Sequence, residues 1–461
     1  MSIKRFADDY LVEWKDRSSR KPLILRGARQ TGKTYLVEQF AKNHFSNMLK
    51  IDFEFDLNVK SVFRQKDPQA IISELSLFFD LSVIPGETLL FLDEIQACPE
   101  AIHSLRYFYE KLPGLHVIAA GSLLDFVLRD FEYSMPVGRV EFLHLYPLSF
   151  SEFLLAGNAR LHEFITNWTF PDQISPLVHG KLAELMRTFI FTGGMPEAAD
   201  SWIKHRDYVE VQRIQSAILN TMQHDFAKYG SRIQQDHLQK VLQFIPGNIG
   251  NKVKYVHVDR DVRSTALKDA FHLLAMARVI SLVFKTDANG VPLEAEKNRS
   301  FFKAIALDVG LMNRMCGLKL TRPEDLMTVY VGGLAEQFVG QELLSSRPCF
   351  EEPALYYWAR EAKNANAEVD YLVTHGSHVL PVEVKAGKTG TLRSLHVFLH
   401  EKKSDFGVRL NMDTPSMSRF TAHVRLKKSS VEHEYTLLSL PLYLTGRLDR
   451  ILEHALDCNQ I

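Results

Sequence analysis

Gly27-Ala28-Arg29-Gln30-Thr31-Gly32-Lys33-Thr34 fits the pattern G-x-x-x-x-G-K-[ST], and its flanks decide how to read it. Pro22-Leu23-Ile24-Leu25 upstream is an apolar run of strand length, and Tyr35 to Lys42 downstream has helical spacing. Strand, loop and helix in this order set successive backbone N–H groups and the positive end of a helix dipole against a phosphate, and the glycines let the loop wrap closely. Gly27, Arg29, Gln30, Thr31, Gly32, Lys33 and Thr34 are therefore expected at a nucleotide. In this pattern Lys33 reaches the β- and γ-phosphates of ATP, and the Thr34 hydroxyl ligates Mg²⁺.

A nucleotide site needs carboxylates as well, and Leu89-Leu90-Phe91-Leu92-Asp93-Glu94 supplies them. Four apolar residues ending in two acids read as a buried parallel strand that delivers carboxylates to the carboxyl edge of a sheet, where α/β folds bind ligands. Asp93 is expected to hold Mg²⁺ and Glu94 to polarise the attacking water. Around these two stretches, residues 21–150 alternate in type: strands over 49–55, 89–94 and 115–122, helices over 70–81 and 102–111. That is the rhythm of a doubly wound α/β domain with a parallel sheet. Ser122, at the end of the last of these strands, is placed to sense a γ-phosphate.

The chain has 461 residues, enough for about three domains. Lys plus Arg equals Asp plus Glu at 55 each, so no global field draws the molecule to nucleic acid or to an anionic membrane, and any such binding must come from a local patch. The first residues, Ile3-Lys4-Arg5-Phe6-Ala7-Asp8-Asp9, lack the apolar core of an export signal, and no uncharged apolar run is long enough to span a bilayer; a cytoplasmic location without membrane contact is expected. Cys98, Cys316, Cys349 and Cys458 lie far apart and read as free thiols. His396 and His400 share a helical face but lack a third ligand, which makes them surface residues rather than a metal site.

Past the sheet come Gly138-Arg139 and then Pro147-Leu148-Ser149-Phe150-Ser151-Glu152-Phe153. With the loop G-A-R-Q-x-G-K-T, the strand L-D-E-I-Q and the G-S strand end, the chain resembles the AAA-type P-loop ATPases of bacteria and archaea that carry an uncharacterised C-terminal domain. The resemblance implies ATP hydrolysis with Mg²⁺ and nominates Arg139 as a sensor or arginine finger, acting within its own subunit or across an interface. It also implies a helical lid over 151–205, where Gly193-Gly194-Met195-Pro196-Glu197 breaks the helical pattern.

Between residues 206 and 316, helical spacing over 236–244 and 264–276 is followed by the strand-like Val279-Ile280-Ser281-Leu282-Val283-Phe284. Helix, helix and strand pair look like a winged helix, which the resemblance implies too. Lys252, Lys254, Arg260, Arg263 and Lys268 surround its proposed recognition helix and suit DNA phosphates, while the same module can also couple to protein.

In residues 317–461, Glu368-Val369-Asp370-Tyr371-Leu372-Val373 and Val379-Leu380-Pro381-Val382-Glu383-Val384-Lys385 read as neighbouring strands. Residues two apart on a strand share a face, so Glu383 and Lys385 project together and Asp370 can oppose them. The arrangement resembles the D…E-x-K core of restriction-endonuclease-like nucleases, which implies Asp370 and Glu383 as Mg²⁺ ligands, Lys385 as the residue that activates water, and Glu336 as a further acid from a preceding helix. Val369 stands where that core commonly has proline. The expected whole is thus an AAA-type ATPase domain with its lid over 1–205, a winged-helix-like domain over 206–316 and a nuclease-like α/β domain over 317–461. DNA and further copies of the chain are the partners this reading allows; a protein partner, if the chain is instead a nucleotide-gated switch, is unidentified.

Overall fold

Leu23, Ile24 and Leu25 are each fully buried, which a strand covered by helices on both faces requires. They form β1 (Leu23–Arg26) in a wholly parallel sheet of order β2-β3-β4-β1-β5, with β2 Asn47–Asp52, β3 Thr88–Asp93, β4 His116–Gly121 and β5 Glu141–His144. The period of two sorts the side chains. Ile24, Leu90, Leu92, Val117 and Ala119 pack with residues of helices α3 (Pro68–Phe79) and α4 (Pro99–Lys111), whereas Leu23, Leu25, Phe91, Ile118 and Ala120 pack with those of α1 (Phe6–Asp16) and α2 (Lys33–His44). Because all five strands are parallel, the ends of β1, β3 and β4 lie on one edge and carry the phosphate loop, Asp93-Glu94 and Ser122 together. This computed structural model describes residues 3–122, 124, 138–226, 231–317, 331–360, 366–386, 391–425 and 430–459.

The chain divides into two units. The first contains residues 1–146 with the short returns 276–279 and 347–352, and the second contains 147–275, 280–346 and 353–461. The helices that the resemblance assigns to a lid lie in the second unit.

In the second unit the helices Arg232–Phe244, Tyr255–Val258 and Ser264–Met276 lead to an antiparallel pair, β6 (Ile280–Thr286) and β7 (Lys297–Ala306). That pair continues into a larger sheet. β6 runs parallel to β8 (Leu355–Arg360), and the full order is β12-β13-β11-β10-β9-β8-β6-β7, with β9 Ala367–His375, β10 His378–Val384, β11 Phe406–Asn411, β12 Ser416–Arg425 and β13 Ser430–Pro441. The strand pair expected in a separate middle module is therefore the edge of the sheet that also holds Asp370 and Glu383.

The Gly193-Gly194 break has a local cause. Gly193 ends the helix Pro176–Thr192 at φ 72°, a conformation that favours glycine. The Gly194 N–H then donates to Oδ2 of the fully buried Asp308 at 2.6 Å, and its Cα faces the backbone of Leu148 so closely that a Cβ would drive into the Leu148 carbonyl oxygen. Backbone cannot yield as a flexible side chain does, so Gly194→Ala is expected to destabilise the second unit by about 1–3 kcal/mol. Calorimetric melting checks this, and an unchanged transition would contradict it.

Candidate functional site

The loop geometry follows from three conformational demands. Gln30 sits at φ 63° and Gly32, which precedes the first residue of α2, at φ 89°. Gly27 passes so near the end of β5 that a Cβ there would meet the carbonyl oxygen of Leu145. Thr31 is fully buried and its hydroxyl donates to the Ala28 carbonyl at 2.9 Å, closing the loop on itself. Arg29 pairs with Glu54 at 3.6 Å, at the same carboxyl edge of the sheet.

Lys33 is buried, and its ammonium donates to the carbonyls of Gly27 and Ala28 at 2.9 and 2.8 Å. Burial pulls its pKa down to about 8, against the opposing pull of Glu94 and Asp93. The Thr34 hydroxyl donates to Asp93 Oδ2 at 2.9 Å, which joins the first turn of α2 to the end of β3. Burial pushes the Asp93 carboxyl up, with Thr34 and Lys50 working the other way. Two hard oxygen donors held in contact fit a small divalent cation such as Mg²⁺.

Glu94 lies in the left-handed region at φ 47°, which costs a non-glycine residue energy and recurs where side-chain aim matters. Its Oε2 accepts from the Gln96 amide at 2.6 Å. Gln96 in turn needs Gly121, because a Cβ at 121 would collide with its Oε1. Gln96 stood in the L-D-E-I-Q stretch without an assigned role; its only signal was an amide two residues after the acid. Ser122 is buried at the end of β4, and its hydroxyl has no hydrogen-bond partner among the described residues, as suits a group awaiting an oxygen ligand.

Arg139 is not brought to this site. It precedes β5 at the sheet's amino edge, where its Nε donates to Glu110 Oε1 at 3.0 Å near the end of α4, while the phosphate loop is at the carboxyl edge. A strand of four residues is about 13 Å long, so Arg139 cannot reach a phosphate of its own subunit from there. An arginine that the sequence reading missed stands in the first unit: Arg278, at φ 58°, whose charge acts on Lys33 and on the His144 ring, pairs with Glu352 at 3.8 Å.

The second constellation is assembled on the eight-stranded sheet. Val382 is registered against Tyr371, which brings Glu383 and Asp370 to adjoining positions on β10 and β9. Asp370 Oδ2 accepts from the Val384 N–H at 2.7 Å, and the Lys385 ammonium lies 2.6 Å from Glu383 Oε1. Glu383 is buried, and its Oε2 has no hydrogen-bond partner among the described residues. Glu336, in the helix Val331–Ser345, faces Lys303 of β7 at 3.8 Å, and the same ammonium is 2.5 Å from Glu368 Oε1. Burial first, and Asp370 next, push both Glu336 and Glu383 above the ordinary carboxylate range. Lys303 and Glu368 were missed. The available signal was a lone lysine in the apolar run Phe301-Phe302-Lys303-Ala304-Ile305-Ala306, since a charge inside a strand core demands a partner.

Elsewhere, His396 is 2.9 Å from the Tyr435 hydroxyl, and among the described residues no three His, Cys, Asp or Glu side chains are gathered as a metal site. Among the described residues Cys98, Cys316 and Cys349 form no disulfide; the Cys458 side chain lies outside the described residues. No described helix is long and apolar enough to cross a membrane.

Residues 19–154 match a family model described as an AAA domain. An AAA domain occupies this part of the chain. Beyond the AAA domain, residues 183–322 and 331–424 match two domains of unknown function, DUF8612 and DUF4143. No curated protein matches the chain. Among solved structures it is similar to the Walker-type ATPase paby2304 of Pyrococcus abyssi, at 14% identity over 68% of this chain and 96% of that one, TM-score 0.44. It is also similar to the Aeropyrum pernix ORC2 protein in ADPNP–ADP complexes, at 12% identity over 68% and 91%, TM-score 0.33.

The lysine of the AAA domain gives a pH test. A phosphate against Nζ favours the charged ammonium, so binding raises a pKa that stands at about 8 in the free protein. Affinity for ATP is then full below about pH 8 and falls as pH rises above it, by up to about tenfold per unit. Calorimetry at pH 7, 8 and 9 in buffers of different ionisation heat should show proton uptake growing with pH. Equal affinity and no uptake at pH 9 would contradict the assignment.

Proposed function

We propose that the chain is a Mg²⁺-dependent ATPase whose hydrolysis is coupled to action on nucleic acid. The observation that carries the ATPase part is the contact between Thr34 and Asp93 with Glu94 beside it, on the edge where the phosphate loop opens. Lys33 exchanges its two loop carbonyls for β- and γ-phosphate oxygens. Thr34 and Asp93 would hold Mg²⁺, which when bound supplies positive charge against those phosphates. Glu94, aimed by Gln96, orients the attacking water and accepts its proton, and the Ser122 hydroxyl reads the γ-phosphate. Arg139, remote from its own subunit's loop, has a route to a γ-phosphate only from a neighbouring copy, which makes a homo-oligomer part of the proposal.

The nucleic-acid part rests on the second unit. Asp370 and Glu383 offer oxygen donors for a divalent cation and Lys385 an ammonium beside them, a set that suits phosphodiester hydrolysis. Arg263 is exposed and Lys268 half-buried in and before the helix Ser264–Met276, read here as the recognition helix of a winged-helix-like segment that meets DNA phosphates. The rival reading is a nucleotide-gated switch on a protein partner, with the nuclease-like site inactive; the ion pairs that tie Lys303 to Glu336 and Glu368 favour it.

The ATPase assignment is tested by two substitutions measured together. Glu94→Gln should keep ATP affinity within about threefold while turnover drops by about a hundredfold or more, as loss of a general base does. Lys33→Ala should abolish binding. Parent turnover in Glu94→Gln would remove Glu94 from the chemistry.

A further inference from the structure

Lys303 is among the most completely buried charges in the chain, and no sequence motif accounts for it. It comes from β7, outside the strands that bear Asp370 and Glu383, and its ammonium lies 2.5 Å from Glu368 Oε1, 3.8 Å from Glu336 Oε2 and 5.0 Å above the ring of the buried Tyr357. An isolated ammonium would not stay charged in such a place. Here the carboxylates around it more than reverse the effect of burial. The partners are held as firmly. Gly250, at φ 78°, brings its backbone so close that a Cβ would be 2.6 Å from both Glu336 carboxylate oxygens, and the Tyr371 hydroxyl donates to the Glu336 carbonyl at 2.8 Å.

The charge balance of the cluster follows. Glu336, Glu368, Asp370 and Glu383 face Lys303 and Lys385, so with all four carboxylates ionised the two ammoniums leave two negative charges, which one divalent cation would neutralise. Among the described residues, Glu383 Oε2 is the buried carboxylate oxygen of the cluster without a hydrogen-bond partner, while the Lys303 ion pairs go to Glu336 and Glu368.

We propose that Lys303 is a built-in cation of this site, which engages Glu336 and Glu368 and leaves Asp370 and Glu383 to a single divalent metal ion. The proposal rests on the divalent-cation reading given above. It turns Glu336, expected from the sequence as a metal ligand, into a partner of lysine. It also makes the edge strand β7 part of the site, so that the segments matched by the two domains of unknown function contribute to one charge cluster.

Mn²⁺ binding to the full chain tests this, without nucleotide and in an Asp93→Asn background so that the phosphate-loop site contributes no ion. The parent should bind one Mn²⁺ per chain, counted by the electron paramagnetic resonance of free Mn²⁺. Lys303→Met should bind a second Mn²⁺ or bind the first about tenfold tighter or more, the direction set by removing a positive charge a few ångströms away. Lys303→Arg should behave as the parent. Because the methionine variant can fail to fold, Glu368→Gln serves as the second probe: it should still bind one Mn²⁺, with a loss under about tenfold, because Glu368 is not a ligand. Two Mn²⁺ in the parent, unchanged binding in folded Lys303→Met, or loss of Mn²⁺ in Glu368→Gln would each overturn the role of Lys303. Absence of Mn²⁺ in parent and variants alike would instead overturn the metal reading beneath it.

Discussion

The 2.9 Å hydrogen bond from the Thr34 hydroxyl to Asp93 Oδ2 ties the two halves of the nucleotide site together. One partner opens α2 and the other closes β3, and β4 lies between β1 and β3 in the sheet. Parallel strands make the contact achievable, because they bring every carboxyl end to one edge. Burial then makes it consequential: Lys33 and Asp93 are both withdrawn from water, so each is held in place by the other charges of the edge and responds strongly to a phosphate or a cation that joins them.

The same rule governs the second unit with the opposite balance of charge. In the cluster around Asp370 and Glu383 four carboxylates face two ammoniums, and burial drives Glu336 and Glu383 toward their protonated forms unless a cation approaches. Lys303 supplies part of that cation from within the fold. Asp308 shows a purely structural use of a buried acid: it accepts from the Gly194 and Leu311 N–H groups and touches no candidate site. Among the described residues, buried charge is thus met by a ligand edge, by an internal lysine and by backbone groups.

Much of the first unit was legible because its signals are local. The loop pattern and the apolar strand ending in Asp93-Glu94 each occupy fewer than ten consecutive residues, and every strand expected between 21 and 150 is present within a few residues of its expected bounds. Whether Arg139 serves its own subunit or a neighbour was not legible, because a motif names a residue but not the edge of the sheet on which it falls. The nearness of Glu383 to Lys385 was legible from strand period, and that of Asp370 from the expected pairing of two neighbouring strands. Lys303 was not, because its meaning depends on β6 pairing with β8, a contact between residues about 70 apart in sequence that no local pattern announces. The joining of β6 and β7 to the sheet that holds Asp370 and Glu383 was hidden for the same reason.

The central claim is that ATP turnover at the AAA domain responds to nucleic acid. Steady-state ATP hydrolysis by the full chain, with Mg²⁺ and with or without single- and double-stranded DNA at low and at physiological salt, tests it most directly. Turnover should rise several-fold with DNA, an effect weakened by salt as phosphate contacts require. Turnover indifferent to every nucleic acid at low salt would contradict the coupling and favour a nucleotide-gated switch on a protein partner.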